Sequence, residues 1–463
     1  GGDPEALKVA TEQPAAADET VNVDVVIAGA GAAGLSAGIE AARAGANVLI
    51  VEKQGVTGGA TTRSGGKLLA AGTKWQEAQG IKDSPDKMYD YLTGIGGDLI
   101  DAEKLRLFCD NAYEDTMLWV EEMGMVVQDV EPIHSSLTPW RVHNTLGGGG
   151  MTDGHGGQII VPMTNAYEQS GGKIAYETSA ETLLTGADGN VTGLVATRAD
   201  GSKLTVNAKS VILATGGYAQ NREMMARYPE VEGYATQVPA GNLGDGLVMA
   251  QAVGAQVFDA PATQVVYCSF TCGVGINEEA GLIVNNKGER FANEYTYQYH
   301  VGDQMAKTGS NFGYYIADPN DPNMTVLYGL SLESTPVANS IEELAALIEI
   351  DPATLKATVD RYNELCAAGK DEDFGKSADK MIPLTGPTYA AIKLTPAVTV
   401  TYGGLVTDTA SRVLNAEGSP ISGLYAAGEV AFSGLFGTEY PCCGMAIGSA
   451  IYYGRIAGQE AVK

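Results

Sequence analysis

Apolar residues first gather into a continuous run at Asp24-Val25-Val26-Ile27-Ala28, the pattern of a strand buried on both faces. Gly29-Ala30-Gly31-Ala32-Ala33-Gly34 follows, and then LSAGIEAARAG, an Ala-rich helix ending at Gly45. Asn47-Val48-Leu49-Ile50-Val51-Glu52 is a second strand. Together they make a strand–turn–helix–strand unit of about thirty residues. The buried-strand pattern returns at Ser210-Val211-Ile212-Leu213-Ala214-Thr215-Gly216-Gly217 and at Gly423-Leu424-Tyr425-Ala426-Ala427-Gly428-Glu429. Between 256 and 400 the texture is less regular and rich in Tyr, Asn and Pro, and after 400 the Gly-rich texture resumes. The pattern predicts a nucleotide-binding domain over 21–255 and 401–463, with a second domain inserted at 256–400. Residues 1–20, rich in Ala, Glu, Pro and Asp, read as a linker or tail.

Composition narrows the class. Of 463 residues, 44% are hydrophobic and 18% charged, which is globular and argues against disorder. The 60 glycines cluster in short motifs without a three-residue period, so collagen is excluded and tight turns are implied. Lys and Arg number 29 against 56 Asp and Glu, a net charge of −27. Such a surface repels phosphate backbones and anionic lipid, so no nucleic-acid partner is expected. No apolar run reaches the roughly 18 residues of a membrane span, so no integral membrane segment is expected. No signal peptide is legible. A start at Gly1-Gly2-Asp3-Pro4 without Met leaves an extracytoplasmic or membrane-surface location as open as a cytoplasmic one. The six cysteines (Cys109, Cys268, Cys272, Cys366, Cys442, Cys443) form no CxxC, haem or iron–sulfur spacing. They read as buried or free thiols, and no metal site is expected.

The GxGxxG of residues 29–34 stands in the context it requires, with a strand before it, a helix after it and an acid closing the next strand. Gly29 allows the tight turn. Gly31 lets backbone N–H groups approach a pyrophosphate, with Ala32 and Ala33 in the same turn, and Gly34 lets helix and strand pack closely. The helix N-terminus adds a favourable dipole. Glu52 is placed to accept hydrogen bonds from an adenosine ribose and disfavours the extra phosphate of NADP. The next stretch, KQGVTGGATTRSGGK, carries Gly59, Thr61, Thr62, Ser64, Gly65 and Gly66. A flavin lying across the sheet edge needs such a loop, because backbone must approach its ring and ribityl chain. A NAD domain does not. FAD is therefore the expected cofactor.

These motifs, with ATGGY (214–218), GDG (244–246), NKGERFANE (286–294) and GLYAAGEV (423–430), stand in the order seen in the fumarate reductase/succinate dehydrogenase flavoproteins. The resemblance covers 23–463 and includes the flavocytochrome fumarate reductases, urocanate reductase and the 3-ketosteroid dehydrogenases. It implies an α/β fold, a Rossmann-like FAD-binding domain with an inserted α+β capping domain. It also implies cofactor contacts at Lys53, Ala180, Thr215, Gly216, Asp245, Gly428, Glu429 and the 444–449 segment, with Gly444 and Ile447.

On the substrate side, the carboxylate-reducing members hold their substrate with Arg and His, as a dicarboxylate requires. The resemblance places their proton-donating Arg at Gln298, four residues beyond Glu294 of the Arg290-Phe291-Ala292-Asn293-Glu294 motif. It places the clamp His at Val400, before Gly403-Gly404, and the second clamp Arg at Tyr440. All three cations are gone. Tyr440-x-x-x-Gly444 instead resembles the element with which the 3-ketosteroid dehydrogenases hydrogen-bond a substrate ketone, an oxyanion hole for enolate character. That family also places a catalytic Tyr just after the Asn-Glu motif, for which Tyr297 and Tyr299 are both candidates. Tyr295 reads as packing, and so do Cys442 and Cys443, since adjacent thiols form only a strained disulfide. His155 could face the flavin or cap a turn.

The expectation is an FAD-dependent oxidoreductase that reduces or forms a C=C bond conjugated to a carbonyl. The substrate expected is a small, apolar enone such as a 3-ketosteroid. Flavin N5 would exchange hydride with one carbon and a tyrosine the proton at its neighbour. One rival is a reductase of an unsaturated carboxylate with Arg141, Arg290 or His300 in a rearranged clamp. The other is a non-catalytic flavoprotein electron carrier. No second dinucleotide motif or haem motif is found, so an external electron donor is expected, on a separate or removed FMN or haem domain.

Overall fold

Strand Glu19–Ala28 is the axis of the larger sheet, and its last four residues are at most 1% exposed. In the computed structural model, which describes residues 17–131, 139–145, 156–269, 274–275, 281–322 and 333–463, it pairs in parallel on both sides. Val25 aligns with Val48 and Ala28 with Val51 on one side, and Ala28 with Leu213 on the other. Outward from these lie Lys173–Ala175, beside Val48–Val51, and Pro420–Ala426, parallel to Lys203–Leu213. Arg412–Leu414 and the hairpin Thr178–Thr185/Val191–Arg198 complete eight strands with antiparallel additions. The order reverses between Glu19–Ala28 and Lys203–Leu213, because the next strand in sequence, Val48–Val51, lies on the far side. Such a switch point opens a crevice at the carboxyl ends of the strands.

Helix Ala32–Arg43 leaves the first of those ends and is crossed by the C-terminal helix Met445–Glu460. The helices touch because their facing residues are small. A Cβ at Gly454 would lie 2.5 Å from Ala33 O, and one at Gly458 2.3 Å from Ala37 O. The C-terminus is thus part of the nucleotide-binding layer.

A second, six-stranded sheet is built from strands lying between 266 and 397. It includes Val266–Ser269, Leu282–Asn285, Gly313–Ala317 and Tyr389–Ala397, all antiparallel to their neighbours. Side chains alternate in period two. Leu282, Val284, Tyr314 and Ile316 pack under helices Ile341–Leu347 and Pro352–Ala368. Ile283, Tyr315 and Leu394 pack with Val301 and Met305 of helix Gln298–Lys307. The fold is α/β, a Rossmann-like FAD-binding core carrying an α+β insertion.

Two boundaries differ from the sequence expectation. Strand pairing begins at Glu19, opposite Leu204, with Thr20 opposite Thr205, so 19–20 belong to the sheet rather than to a tail. Their polar side chains hid a backbone pairing from a reading of hydrophobicity. Val257–Phe258 pairs with Gly404–Leu405, and Gln256 N–H donates to Leu414 O, so the chain is still attached to the larger unit where the irregular texture begins. The outgoing and returning strands run side by side there. Among the described residues, no helix is long and apolar enough to cross a membrane.

Candidate active site

The turn after the first strand matches its glycines to their tasks. Gly29 takes φ +110° and packs so tightly that a Cβ would lie 2.0 Å from Ala214 O. A Cβ at Gly34 would lie 1.8 Å from Gly29 O. At Gly31 nothing is nearer than Gly58 O at 3.6 Å, so its space faces outward. Helix Ala32–Arg43 has no side-chain cap and no acid in its first turn. Its uncapped N–H groups and positive end suit a pyrophosphate. The residues present therefore fit FAD.

Other sequence-selected residues converge on the same strand ends. Glu52 is buried at the end of Val48–Val51; its Oε2 accepts from Ala30 N–H at 2.7 Å and its Oε1 from Gln54 N–H at 2.9 Å. Burial pushes its pKa up against those bonds. Lys53 Nζ pairs with Asp245 Oδ2 at 2.7 Å, and Thr215 Oγ1 accepts from Gly246 N–H at 3.2 Å. Gly216 and Gly428 both take positive φ at strand ends, and Gly428 packs on Ala33. Glu429 Oε1 accepts from Thr401 N–H at 2.8 Å. Burial pushes the Glu429 carboxyl up to about 7. The Gly59–Gly66 loop is held by its own hydroxyls: Thr62 donates to Gly59 O, and Ser64 Oγ donates to Thr61 O and accepts from Gly66 N–H. Ala180 is buried in Thr178–Thr185 of the antiparallel hairpin beside Lys203–Leu213, and Ile447 is half-buried in the first turn of Met445–Glu460.

Across this crevice stands an aromatic wall. Tyr440, Phe436 and Tyr402 stack in sequence, Phe436 being 5.4 Å from Tyr440 and 5.3 Å from Tyr402 with near-parallel rings. Tyr299 meets Tyr440 edge-on at 4.7 Å. The Tyr440 hydroxyl accepts from Ala446 N–H at 2.9 Å, which places it at the N-terminus of Met445–Glu460, beside the N-cap Gly444. Gly444 takes φ +88°, and a Cβ there would lie 2.5 Å from Leu68 C. The Tyr297 hydroxyl donates to Glu439, which also lies 3.2 Å from His300 Nδ1. The Tyr299 hydroxyl meets Cys443 Sγ at 3.1 Å. Burial holds the phenols of Tyr297, Tyr299, Tyr402 and Tyr440 above their ordinary value.

A profile of the FAD binding domain family matches residues 24–447. Fumarate reductase (cytochrome) of Shewanella frigidimarina is 32% identical over 449 residues, 95% of this chain and 77% of that protein. The chain belongs to the FAD-binding flavoprotein family of the fumarate reductases. Urocanate reductase of Eggerthella lenta is 32% identical over 466 residues, 96% of this chain and 75% of that one. Among solved structures, a 3-ketosteroid-Δ4-(5α)-dehydrogenase from Rhodococcus jostii, in complex with 4-androstene-3,17-dione, aligns with a TM-score of 0.79 at 29% identity. The alignment covers 96% of this chain and 97% of that one.

This flavoprotein is an FAD-dependent oxidoreductase acting on carbon–carbon double bonds of unsaturated compounds. Its cleft brings together Tyr297, Tyr299, Tyr440 and Gly444, which the sequence singled out. The cations considered for a rearranged clamp are each held by a carboxylate. Arg141 forks onto buried Asp83 at 2.7 and 3.0 Å. Arg290 is locked between Glu294 and Asp371 at 2.8–3.0 Å. His300 faces Glu439. Gln298 is buried in the first turn of its helix, and Val400 is half-buried against the core. His155 and Cys272 lie outside the described residues; Cys442 and Cys443 are buried. Sequence reasoning missed Glu439 and Tyr91, whose hydroxyl donates to Pro441 O at 2.6 Å. The one local signal for Glu439 was an acid inside the apolar, Gly-rich stretch FGTEYPCCG.

Proposed function

We propose that this flavoprotein acts on an uncharged, largely apolar α,β-unsaturated carbonyl compound of the ketosteroid-like enone type. The observation that carries the reading is the placement of Tyr440. Its hydroxyl oxygen accepts from Ala446 N–H at a helix N-terminus beside Gly444, which leaves its own O–H to donate to a carbonyl oxygen. A neutral donor at the positive end of a sixteen-residue helix suits an enolate oxygen. The stacked Phe436 and Tyr402 beside it favour an apolar ring system. Bound FAD supplies the hydride. A buried tyrosine, Tyr297 or Tyr299, exchanges the proton at the neighbouring carbon, its high phenol pKa keeping it protonated until reaction. The insertion at 256–400 serves as the cap that excludes water. The solved relative bound to 4-androstene-3,17-dione supports the reading.

Similarity to relatives named for fumarate and urocanate favours a second reading, an unsaturated carboxylate as substrate. Against it stand the carboxylates that occupy Arg141, Arg290 and His300. A non-catalytic electron carrier would have no use for the Tyr440–Gly444 element. We place the electron donor outside residues 1–463, on a separate or removed FMN or haem domain. The test is anaerobic photoreduction of the FAD-loaded protein, followed by 4-androstene-3,17-dione, fumarate, urocanate or ferricyanide. Reoxidation by the enone supports the reading; reoxidation by fumarate or urocanate alone, or by ferricyanide alone, overturns it.

A further inference from the structure

Two tyrosines compete for the proton-transfer role, and their surroundings are opposite. The Tyr299 hydroxyl faces Cys443 Sγ, and both residues are buried. The Tyr297 hydroxyl donates to the Glu439 carboxylate. Glu439 in turn is held through both oxygens, at 3.2 Å each, by Nδ1 of His300. Exposure rises along this line, since Tyr297 is 5% exposed and the side chains of Glu439 and His300 are 18% and 35% exposed. The rings of Tyr297 and His300 lie 6.3 Å apart at 30°, one turn apart at the start of Gln298–Lys307. A continuous chain of ionisable groups therefore runs from the aromatic wall toward solvent, with Tyr297 and His300 on the insertion and Glu439 on the loop before Met445–Glu460.

We propose that His300 and Glu439 are the proton relay that recharges Tyr297, which makes Tyr297 the proton-transferring tyrosine and Tyr299 a packing residue. The inference rests on the reading of this cleft as the site of C=C chemistry. In the reducing direction the Tyr297 O–H proton goes to the substrate carbon next to the carbonyl, while the electron pair arrives as the hydride. His300 Nδ1 then gives its proton to the Glu439 carboxylate, Glu439 passes it to the phenolate oxygen, and the neutral imidazole takes one proton from water. One solvent proton is consumed per turnover, and in the oxidising direction each transfer runs backwards. His300 and Glu439 touch neither flavin nor substrate in this scheme, so they are positioning and relay residues.

The electrostatics agree with the geometry. The His300 pKa is raised, chiefly by its hydrogen bond to Glu439 and further by Asp303, against burial and Lys307. The Glu439 pKa is lowered by His300, Tyr297 and Lys307 against its burial. Tyr91 and Tyr402 also face this pair's end of Tyr297. The resting state is thus imidazolium, carboxylate and phenol, with the proton stored at the solvent end.

The test uses the FAD-loaded protein. With no acceptor present, NMR titration of the four histidines in wild type and Glu439→Gln reads the contact directly. His300 should titrate above the ordinary value of 6.5 in wild type and fall by about one pH unit or more in the variant. The protein is then cycled through repeated turnovers of 4-androstene-3,17-dione, or of fumarate if that is the acceptor accepted, with reduced methyl viologen in excess as electron supply, from pH 5 to 10. Wild type should lose rate through an alkaline limb set by His300. His300→Gln should abolish that limb and slow steady turnover about 10²-fold, and added imidazole should partly restore the smaller His300→Gly. Tyr299→Phe should keep the wild-type pH profile. An unchanged His300 titration in Glu439→Gln, or a wild-type rate and limb in His300→Gln, overturns the relay. The half-exposed His300 variants preserve the test if Glu439→Gln fails to fold. A switch of acceptor from enone to fumarate would overturn the substrate reading while the titration still decides the relay.

Discussion

Tyr297 and Glu439, 142 positions apart, are joined by a hydrogen bond across the cleft between the two sheets. The tyrosine begins the insertion's helix Gln298–Lys307, and the glutamate lies in the loop before the C-terminal helix. Tyr299 with Cys443 and His300 with Glu439 cross the same gap. The proposed proton-transfer set therefore comes together only when the insertion is seated on the nucleotide-binding unit.

Hydrogen exchange should register that seating. The junction strands Val257–Phe258 and Gly404–Leu405 pair through only two residues each, a short element able to flex. Saturation with 4-androstene-3,17-dione, or with whichever acceptor turns over, should slow exchange in 295–302 and across 256–400. Identical exchange with and without ligand would argue against a closing cap.

FAD retention should depend on Glu52. Glu52→Ala removes the acceptor of Ala30 N–H, leaving a buried donor unpaired at a cost of about 1–3 kcal/mol and loosening the turn at Gly31. The expected result is a 10- to 100-fold weaker FAD affinity by fluorescence titration. Wild-type affinity would show that the carboxylate does not support this turn.

Glu429 carries a pH signature. Its folded carboxyl is raised from 4.5 to about 7 by burial, so between those values the folded protein holds a proton that the unfolded chain has lost. Stability of the FAD-free protein should fall as pH rises through this window, by about 3 kcal/mol in full above it at about 1.4 kcal/mol per pH unit. Glu429→Gln should flatten that slope in chemical denaturation while retaining FAD; Glu429→Ala should lose FAD. An unchanged slope in Glu429→Gln would exclude Glu429 as its source.

Fumarate and succinate should be poor substrates. Gln298, Val400 and Tyr440 stand where the resemblance places cations, and each lost charge-assisted contact should cost about 2–4 kcal/mol. Steady-state assay should give rates far below an ordinary kcat of about 10 per second. Turnover of fumarate at that ordinary rate would overturn the enone reading.

Tyr440→Phe should slow enone reduction by about 10²–10³ and weaken binding of the saturated ketone, with dithionite reduction of FAD unaffected. Gly444→Ala should be worse, since its Cβ would strike Leu68 and its φ of +88° strains any side chain. Wild-type turnover in Tyr440→Phe would remove this tyrosine from the mechanism.

The sequence by itself determined the nucleotide-binding unit, because its information is local. A buried strand, three glycines with distinct steric duties and an acid at residue 52 must lie within about thirty residues of one another for a phosphate turn to close. Resemblance to the 3-ketosteroid dehydrogenases singled out Tyr440 and Gly444 by their spacing, and the structure set both at one helix N-terminus. The sequence could not choose between Tyr297 and Tyr299, which differ by what faces them rather than by their own spacing. Only the tertiary structure set Cys443 against one and Glu439 against the other. Glu294 lies only four residues from Arg290, but the other carboxylates that occupy Arg141 and Arg290 were out of reach: Asp83 and Asp371 lie 58 and 81 positions away. Chain distance carries no record of which charges are brought together when two sheets fold, and that pairing decides which cations remain available to a substrate.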